Sequence, residues 1–418
     1  MLQFRVNLIM EDLQPGWLDE GFIKQVLRSV ENIGEDHISV SKWKCNPAVP
    51  PGSNYLSLLY RLSVDYEIEN DQRSISLIVK TPLESGQVKE WLEKSDGYGK
   101  ELRMYRDVLP RMYEISWSIV VTARSYPCNL HNSLVLEDLT VLGYKMADRL
   151  KQLDFAHCRQ FFISLATFHG LSIALYQKNP ELIQSIGKSS WFSDDGPEED
   201  IKEQEKFTKF NIATMMKTVK SIGLDRYAEI IQGKLDTFYS TMQQIFKPQG
   251  ELRVLCHGDC WTTNFLFKYE SGKVVDSKLI DFQIIRTGSF AQDIHYFWWT
   301  SVKQEVQENS QEELFEVYRE TLNQTLEKAQ VSERISKDEF DKEIKRYSPY
   351  GFFVCSSILS VAMADPDNLA DFNEMGENEF DKPVNDEDSP FSKNFRSKYY
   401  KARLPALLKL LETFGALD

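Results

Sequence analysis

Residues 256–264 read CHGDCWTTN, and two chemistries compete for them. Cys256, His257 and Cys260 are metal-ligand types. His257, Asp259 and Asn264 instead fit the pattern His-x-Asp-x-x-x-x-Asn, the loop with which phosphoryl-transfer enzymes align an attacking hydroxyl and help to hold Mg²⁺. That reaction needs one carboxylate to orient or accept the hydroxyl proton, and oxygen ligands that hold the metal against the phosphates. Asp259 suits the first task. Asn264 and Asp281, the latter 17 residues further on in LIDFQ, suit the second. A zinc site would need two more ligands at suitable spacing, and none lies nearby, so Cys256 is expected in the core and His257 as a brace for the loop.

The remaining parts lie upstream. Lys80 ends the apolar segment SLIVK, from which it could reach nucleotide phosphates, and Glu101 lies on the next helical segment, from which it could position that lysine. PGSNYLS (51–57) is a small-residue turn, short of a full Gly-x-Gly-x-x-Gly, in which Ser53 and Asn54 could offer backbone N–H groups to phosphate. Downstream, Asp293 is expected to support the catalytic loop or cap its own helix. His169 and His295 read as core histidines. The aromatic run Tyr296 to Trp299 likewise reads as core, with a pocket wall for an acceptor as the second reading.

These side chains require a particular set of elements. SNYLSLLYRLSVDYEI (53–68) and SISLIVK (74–80) read as antiparallel strands joined across ENDQR. YGKELRMYRDVLP follows as a helix closed by Pro110, then SWSIVVTA (116–123) and SLVLEDL (133–139) as two further strands. Beyond Asp138 the pattern turns helical. Residues 155–178 carry an apolar stripe through Phe161, Leu165, Phe168 and Leu171, and helices are expected in 200–245, 310–328 and 336–364. A short strand-rich island holds the CHGDCWTTN loop, with NFLFKY and SKLIDFQ as a hairpin across ESGK and Asp281 at the end of its second strand. The acidic stretches 192–205 and 364–390 read as exposed insertions or lids.

Bulk properties narrow the function classes. The 418 residues, 42% hydrophobic and 12% aromatic, suffice for two lobes with a sizeable core. A formal net charge of −14 opposes binding to nucleic acid or an anionic membrane surface. Six scattered cysteines suit a reducing compartment, and the cytosol is expected. The opening MLQFRVNLIMEDLQPGW, interrupted by Glu11 and Asp12, does not read as a signal peptide. The longest charge-free run, Ser348 to Ala364, reads as a buried helix rather than a membrane span.

Taken together, VLCHGDCWTTNFLFKY, KLIDFQIIRTGSFAQDIHYFWWTS, SLIVKTP, ELRMYRDVLP and LVLEDL…GY resemble the ecdysteroid kinase-like proteins of arthropods, relatives of choline kinase and the aminoglycoside phosphotransferases. The resemblance covers nearly the whole chain. It implies an α+β, two-lobed protein-kinase-like fold: a small β-rich N-lobe for nucleotide (1–138) and a larger, mainly helical C-lobe for catalysis and acceptor binding (139–418). It also implies MgATP as donor and a small-molecule alcohol, steroid-like or xenobiotic, as acceptor. Asp259 is then the base, Asn264 and Asp281 the Mg²⁺ ligands, and Lys80 the phosphate contact with Glu101 as its partner; Glu137 and Leu139 of LVLEDL join the nucleotide-binding set. DFQ is similar to the small-molecule branch, and no Ala-Pro-Glu segment follows it, which disfavours a protein substrate. Thr263 and Cys260 depart from the usual residues of related sequences without removing a ligand, which leaves acceptor choice or rate in question. A choline- or aminoglycoside-type phosphotransferase and a nucleotide-binding pseudokinase scaffold are the alternatives.

Overall fold

The computed structural model describes residues 15–34, 37–49, 56–116, 120–187, 191–250, 252–369 and 389–418. Ser53, Asn54 and residues 370–388 of the acidic 364–390 stretch lie outside the described residues. The chain divides into two compact units, Met1–Arg106 with Ala123–Gly143, and Asp107–Thr122 with Tyr144–Asp418.

The first unit is built on a five-stranded antiparallel sheet in the order β1-β2-β3-β5-β4. Its strands are β1 (Ile38–Pro47), β2 (Leu58–Ile68), β3 (Asp71–Thr81), β4 (Ser125–Tyr126) and β5 (Leu134–Glu137). The β2–β3 hairpin turns on two residues only. Glu69 and Asn70 both take positive φ, 50° and 70°, the left-handed geometry that matches strand twist, so β3 starts three residues earlier than its apolar pattern suggests. Helix α1 (Glu20–Glu31) starts where the Asp19 carboxylate accepts from Phe22 N at 2.7 Å. It buries Phe22, Ile23, Val26 and Leu27 in one cluster with Leu62, Val64, Tyr66, Leu77, Val79 and Val135 of the sheet. Truncating Ile23, Leu27, Leu62 or Leu77 to Ala costs about 2–5 kcal/mol. Helices α2 (Gln87–Lys94) and α3 (Gly97–Arg103) follow the sheet's third strand.

Pro110 does not close a helix as its position suggests. After a π-helical turn over Met104–Val108, a fresh helix α4 (Leu109–Ile115) begins in the second unit with Pro110 in its first turn, where its missing N–H would go unpaired anyway. The expected strand over 116–123 reduces to a single bridge, Thr122 to Leu279, with residues 117–119 outside the described set. Val121 and Ala123, among its described residues, are buried without joining a ladder, 2% and 4% exposed.

The second unit is mainly helical. It contains α5 (Phe155–Lys178), α6 (Pro180–Ile186), α7 (Glu198–Ser221), α8 (Asp225–Lys234), α9 (Phe238–Phe246), α10 (Phe290–Ser301), α11 (Gln304–Asn309), α12 (Gln311–Lys328), α13 (Lys337–Arg346), α14 (Ser348–Ser356), α15 (Ile358–Ala362), α16 (Pro390–Phe395) and α17 (Lys398–Thr413). The charge-free run from Ser348 is two helices, broken at Ser357, and among the described residues no helix is long and apolar enough to cross a membrane. The close approach of α14 to α10 needs a glycine, because a Cβ on Gly351 would lie 2.3 Å from the Trp299 indole nitrogen.

Two small sheets interrupt the helices: β6 (Tyr144–Met146) with β8 (Phe265–Glu270) and β9 (Lys273–Leu279), and β7 (Arg253–Cys256) with β10 (Arg286–Ser289). The β8–β9 turn again uses two positive-φ residues, Ser271 and Gly272. Asp281 lies two residues beyond β9 rather than within it. Its φ of 69° cannot continue an extended ladder, and Asp is among the few non-glycine residues that tolerate that region.

Candidate active site

In the first unit, β3 and α3 bring Lys80 and Glu101 together. The Lys80 Nζ donates to the Glu101 carboxylate at 2.9 and 2.8 Å, and both side chains are buried, 6% and 3% exposed. Two buried charges 21 residues apart are stable there because each neutralises the other. Glu137 ends β5 with its N–H donated to the Arg124 carbonyl at 2.9 Å, and Leu139 opens the 3-10 turn Leu139–Leu142 with a buried side chain. Between them sits a residue that no sequence motif marks. Asp138 accepts from Arg61 Nε (2.8 Å), Ser76 Oγ (2.7 Å), and Thr140 Oγ1 and N (2.6 and 3.1 Å), and so ties β2 and β3 to the turn after β5. Burial opposes its ionisation, but these donors outweigh burial and hold its pKa below the ordinary value.

In the second unit, the loop that leaves β7 is built from the backbone outward. Gly258 has a φ of 87°, and a Cβ there would lie 2.3 Å from the Ile284 carbonyl oxygen, so only glycine fits. Arg286 reaches back from β10 to the carbonyl oxygens of Gly258 and Ile284, at 3.4 and 3.3 Å. Asp293, in the first turn of α10, accepts from His257 N (2.6 Å) and Gly258 N (2.9 Å), which gives it the supporting role expected from its position. His169, fully buried on α5, donates from Nε2 to the same carboxylate at 3.1 Å and accepts from the Tyr318 hydroxyl at 2.6 Å on Nδ1. Burial lowers the His169 pKa and so favours this neutral form. Burial alone would raise the Asp293 pKa, yet the His169 hydrogen bond and the nearby Arg286 charge bring it below the ordinary value.

The same loop settles the use of Cys256, His257 and Cys260. His257 donates from Nε2 to the Ile280 carbonyl (2.9 Å) and accepts from Asp259 N (3.3 Å) on Nδ1, so both ring nitrogens serve the loop. Cys256 donates to the Ser289 carbonyl at 3.2 Å. Burial pushes the pKa of the Cys256 and Cys260 thiols well above the ordinary value.

Asp259 and Asn264 are in direct contact. Asn264 Nδ2 donates to the Asp259 carboxylate Oδ2 at 2.7 Å and to its main-chain oxygen at 2.9 Å. The other carboxylate oxygen, Oδ1, accepts from the Tyr296 hydroxyl at 2.5 Å. Burial raises the Asp259 pKa above the ordinary value, with the Asp281 charge adding to it, against the lowering effect of the Tyr296 and Asn264 hydrogen bonds. Tyr296 shares a helical face with Asp293, three residues before it, and that spacing was the available clue to the contact. Of the Tyr296–Trp299 run, Phe297 is fully buried and Trp298 and Trp299 are 1% exposed, so these three are core, as is His295.

The expected Mg²⁺ ligands fit that ion by chemistry. Ile280 N donates to the Asn264 carbonyl at 3.0 Å, which holds the start of β8 beside the residue preceding Asp281. With its amide nitrogen committed to Asp259, Asn264 presents Oδ1, and Asp281 adds a carboxylate: hard oxygen donors of the kind Mg²⁺ uses along with waters and phosphates. Among the described residues no three His, Cys, Asp or Glu side chains form a metal cage. Nearby in sequence, Gln283 is 2% exposed and neither of its amide atoms has a protein hydrogen bond, so it is a polar group for water or a ligand to satisfy.

A strand lysine paired with a helix glutamate in a β-rich unit, and a His-x-Asp-x-x-x-x-Asn loop followed by an aspartate in a helical unit, make a kinase-like α+β architecture. Solved structures similar to this chain include an ethanolamine kinase of Plasmodium vivax, 12% identical with a TM-score of 0.40 over 87% of this chain and 90% of that one. The GDP complex of a wild-type aminoglycoside 2'-phosphotransferase is also 12% identical, with a TM-score of 0.39 over 95% of this chain and 98% of that one. An aminoglycoside phosphotransferase from Streptomyces rimosus with ADP and streptomycin is 10% identical, with a TM-score of 0.33 over 81% and 98%. No individually curated protein sequence matches the chain. Residues 51–331, well over half of its length, match the model of the ecdysteroid kinase-like family, and the chain belongs to that family.

Proposed function

We propose that this protein transfers the γ-phosphate of ATP to the hydroxyl of a small-molecule alcohol, steroid-like or xenobiotic, with Asp259 as the residue that aligns the hydroxyl and takes its proton. The observation that carries this reading is the pinned pair in the second unit: Asn264 fixes the Asp259 carboxylate through Oδ2, while Asp293 fixes the backbone of the loop that bears it. A carboxylate held in one orientation contributes to an in-line displacement without reorganising during the reaction. Its pKa is raised above the ordinary carboxylate value, toward the proton affinity useful in a base.

In this reading Lys80, oriented by Glu101, contacts the phosphates. Asn264 and Asp281 hold Mg²⁺, which when bound neutralises charge on the transferring phosphoryl group. Ser53, Asn54, Glu137 and Leu139 complete the nucleotide contacts. Transfer is direct, and no covalent enzyme intermediate forms. Family membership supports a small-molecule acceptor, and six unpaired thiols suit the cytosol.

The test is phosphate transfer from labelled ATP and Mg²⁺ to pooled ecdysteroids, plant alcohols, choline and aminoglycosides, read by mass spectrometry. A phosphorylated steroid or plant alcohol formed by the wild type and lost in Asp259→Asn supports the reading. Product from choline or aminoglycosides alone replaces its acceptor class. MgATP binding with no product from any pool favours the scaffold alternative.

A further inference from the structure

Asp259 has a second partner that support of the loop does not require. Asn264 already restrains the carboxylate through Oδ2, and Asp293 already restrains the backbone beneath it. Yet Oδ1 accepts a hydroxyl hydrogen bond from Tyr296. The donor is an alcohol-type O–H, and it sits within the distance at which a reacting hydroxyl must meet its base. The phenol therefore makes with Asp259 the same contact that the acceptor of a phosphoryl transfer would make.

The surroundings hold it there. Tyr296 lies on α10, whose twelve residues are all buried, so its ring is carried by a rigid element. Its hydroxyl meets Asp259, a residue of intermediate exposure between the buried Gly258 and Cys260. A carboxylate oxygen accepts more than one hydrogen bond, so an incoming alcohol can engage Oδ1 as the phenol gives way, without movement of the helix.

We propose that Tyr296 couples phosphate transfer to the presence of acceptor: its hydroxyl fills the hydrogen-bond position at Asp259 Oδ1 in the resting site, excludes water from it, and yields that position to the substrate alcohol. Tyr296 is a positioning residue in this scheme, and the inference rests on the kinase reading above. The reaction it suppresses is hydrolysis. A water oxygen bonds to the γ-phosphorus as the bond to the β–γ bridging oxygen breaks, ADP leaves, and the water proton passes to Asp259.

The test compares the wild type, Tyr296→Phe and Asp259→Asn in MgATP hydrolysis without acceptor and in transfer to whichever alcohol the panel identifies. Phe keeps the ring in the core, and thermal melting together with MgATP binding establishes that the variant is folded. Hydrolysis by Tyr296→Phe is expected to rise about tenfold, the rate equivalent of one net hydrogen bond, with a lower KM for the alcohol and an unchanged KM for ATP. Hydrolysis that stays level or falls while transfer kcat drops overturns the coupling role and makes Tyr296 a structural support for the carboxylate. Wild-type turnover that Asp259→Asn leaves intact, or no turnover at all, overturns the kinase reading and the Tyr296 role with it.

Discussion

Glu101 in the first unit and Asp293 in the second are both buried carboxylates, 3% and 0% exposed, but they are satisfied by different means. Glu101 faces the Lys80 ammonium in a charge pair between a strand and a helix. Asp293 accepts from two backbone N–H groups and an imidazole drawn from two separate segments. The first arrangement holds a side chain; the second holds a loop. A charge pair depends on two residues and can be exchanged for an apolar pair without loss of fold. A carboxylate that serves as the shared acceptor for a loop backbone cannot be exchanged so simply, because its donors are main-chain groups that stay behind.

That contrast can be broken at four points. The largest effect is expected where the held loop meets chemistry. Asp259→Asn should lower transfer by about 10²–10⁴-fold with little change in melting temperature, measured as initial rates of product formation. Next comes the charge pair. Lys80→Met leaves Glu101 buried without its cation and should destabilise the protein by about 3–5 kcal/mol, while Lys80→Met with Glu101→Leu should recover most of that loss but not nucleotide affinity. Urea unfolding and nucleotide titration of the single and double variants check this, and a double variant no more stable than Lys80→Met would remove the distinction drawn between the two units.

The third point is acid. His295 accepts from the Trp299 indole on Nδ1 and donates from Nε2 to the Ile344 carbonyl, and burial lowers its pKa from 6.5 to about 4. The folded protein keeps it neutral while the unfolded chain takes a proton below the ordinary value. Its contribution is thus fully present above pH 6.5 and is lost as the pH falls toward 4. Over that window the loss should reach about 3 kcal/mol, at 1.36 kcal/mol per pKa unit. His169, whose pKa burial also lowers, adds to it in the same direction. Because both histidines lie in the second unit, the second unit should open first in hydrogen exchange at pH 5, and His295→Gln should flatten the dependence. The smallest effect is expected from Asp293→Asn, which keeps the shape but turns one acceptor into a donor facing the loop N–H groups. It should cost about 1–3 kcal/mol and lower transfer without altering MgATP affinity, read by denaturation and by a kcat-against-KM comparison.

Much of the site was legible before the fold was seen, for a reason that differs by residue. Asp259, Asn264 and Asp281 lie within one short stretch whose order is set by a loop and a hairpin, so spacing along the chain tracks spacing in space. Lys80 and Glu101 were also legible, because a strand followed closely by a helix constrains which side chains can meet. The Pro110 reading and the placement of Asp281 inside a strand went astray at element boundaries, where a π-helical turn and a single positive φ decide the path. Asp138 was overlooked because its partners Arg61 and Ser76 lie 77 and 62 residues away.

The sequence by itself determined the α+β composition, the existence of the two hairpins, the position of the His-x-Asp-x-x-x-x-Asn loop and the family to which the chain belongs, because each depends on local propensity or on short, ordered spacing. Only the tertiary structure decided that Asp293 is the shared acceptor beneath the loop, that His169 orients it, that Tyr296 reaches Asp259, and that Gly258 admits no side chain. Those outcomes depend on which helix faces pack together. A hydrogen bond across a hundred residues carries no trace in spacing until packing brings its ends within 3 Å.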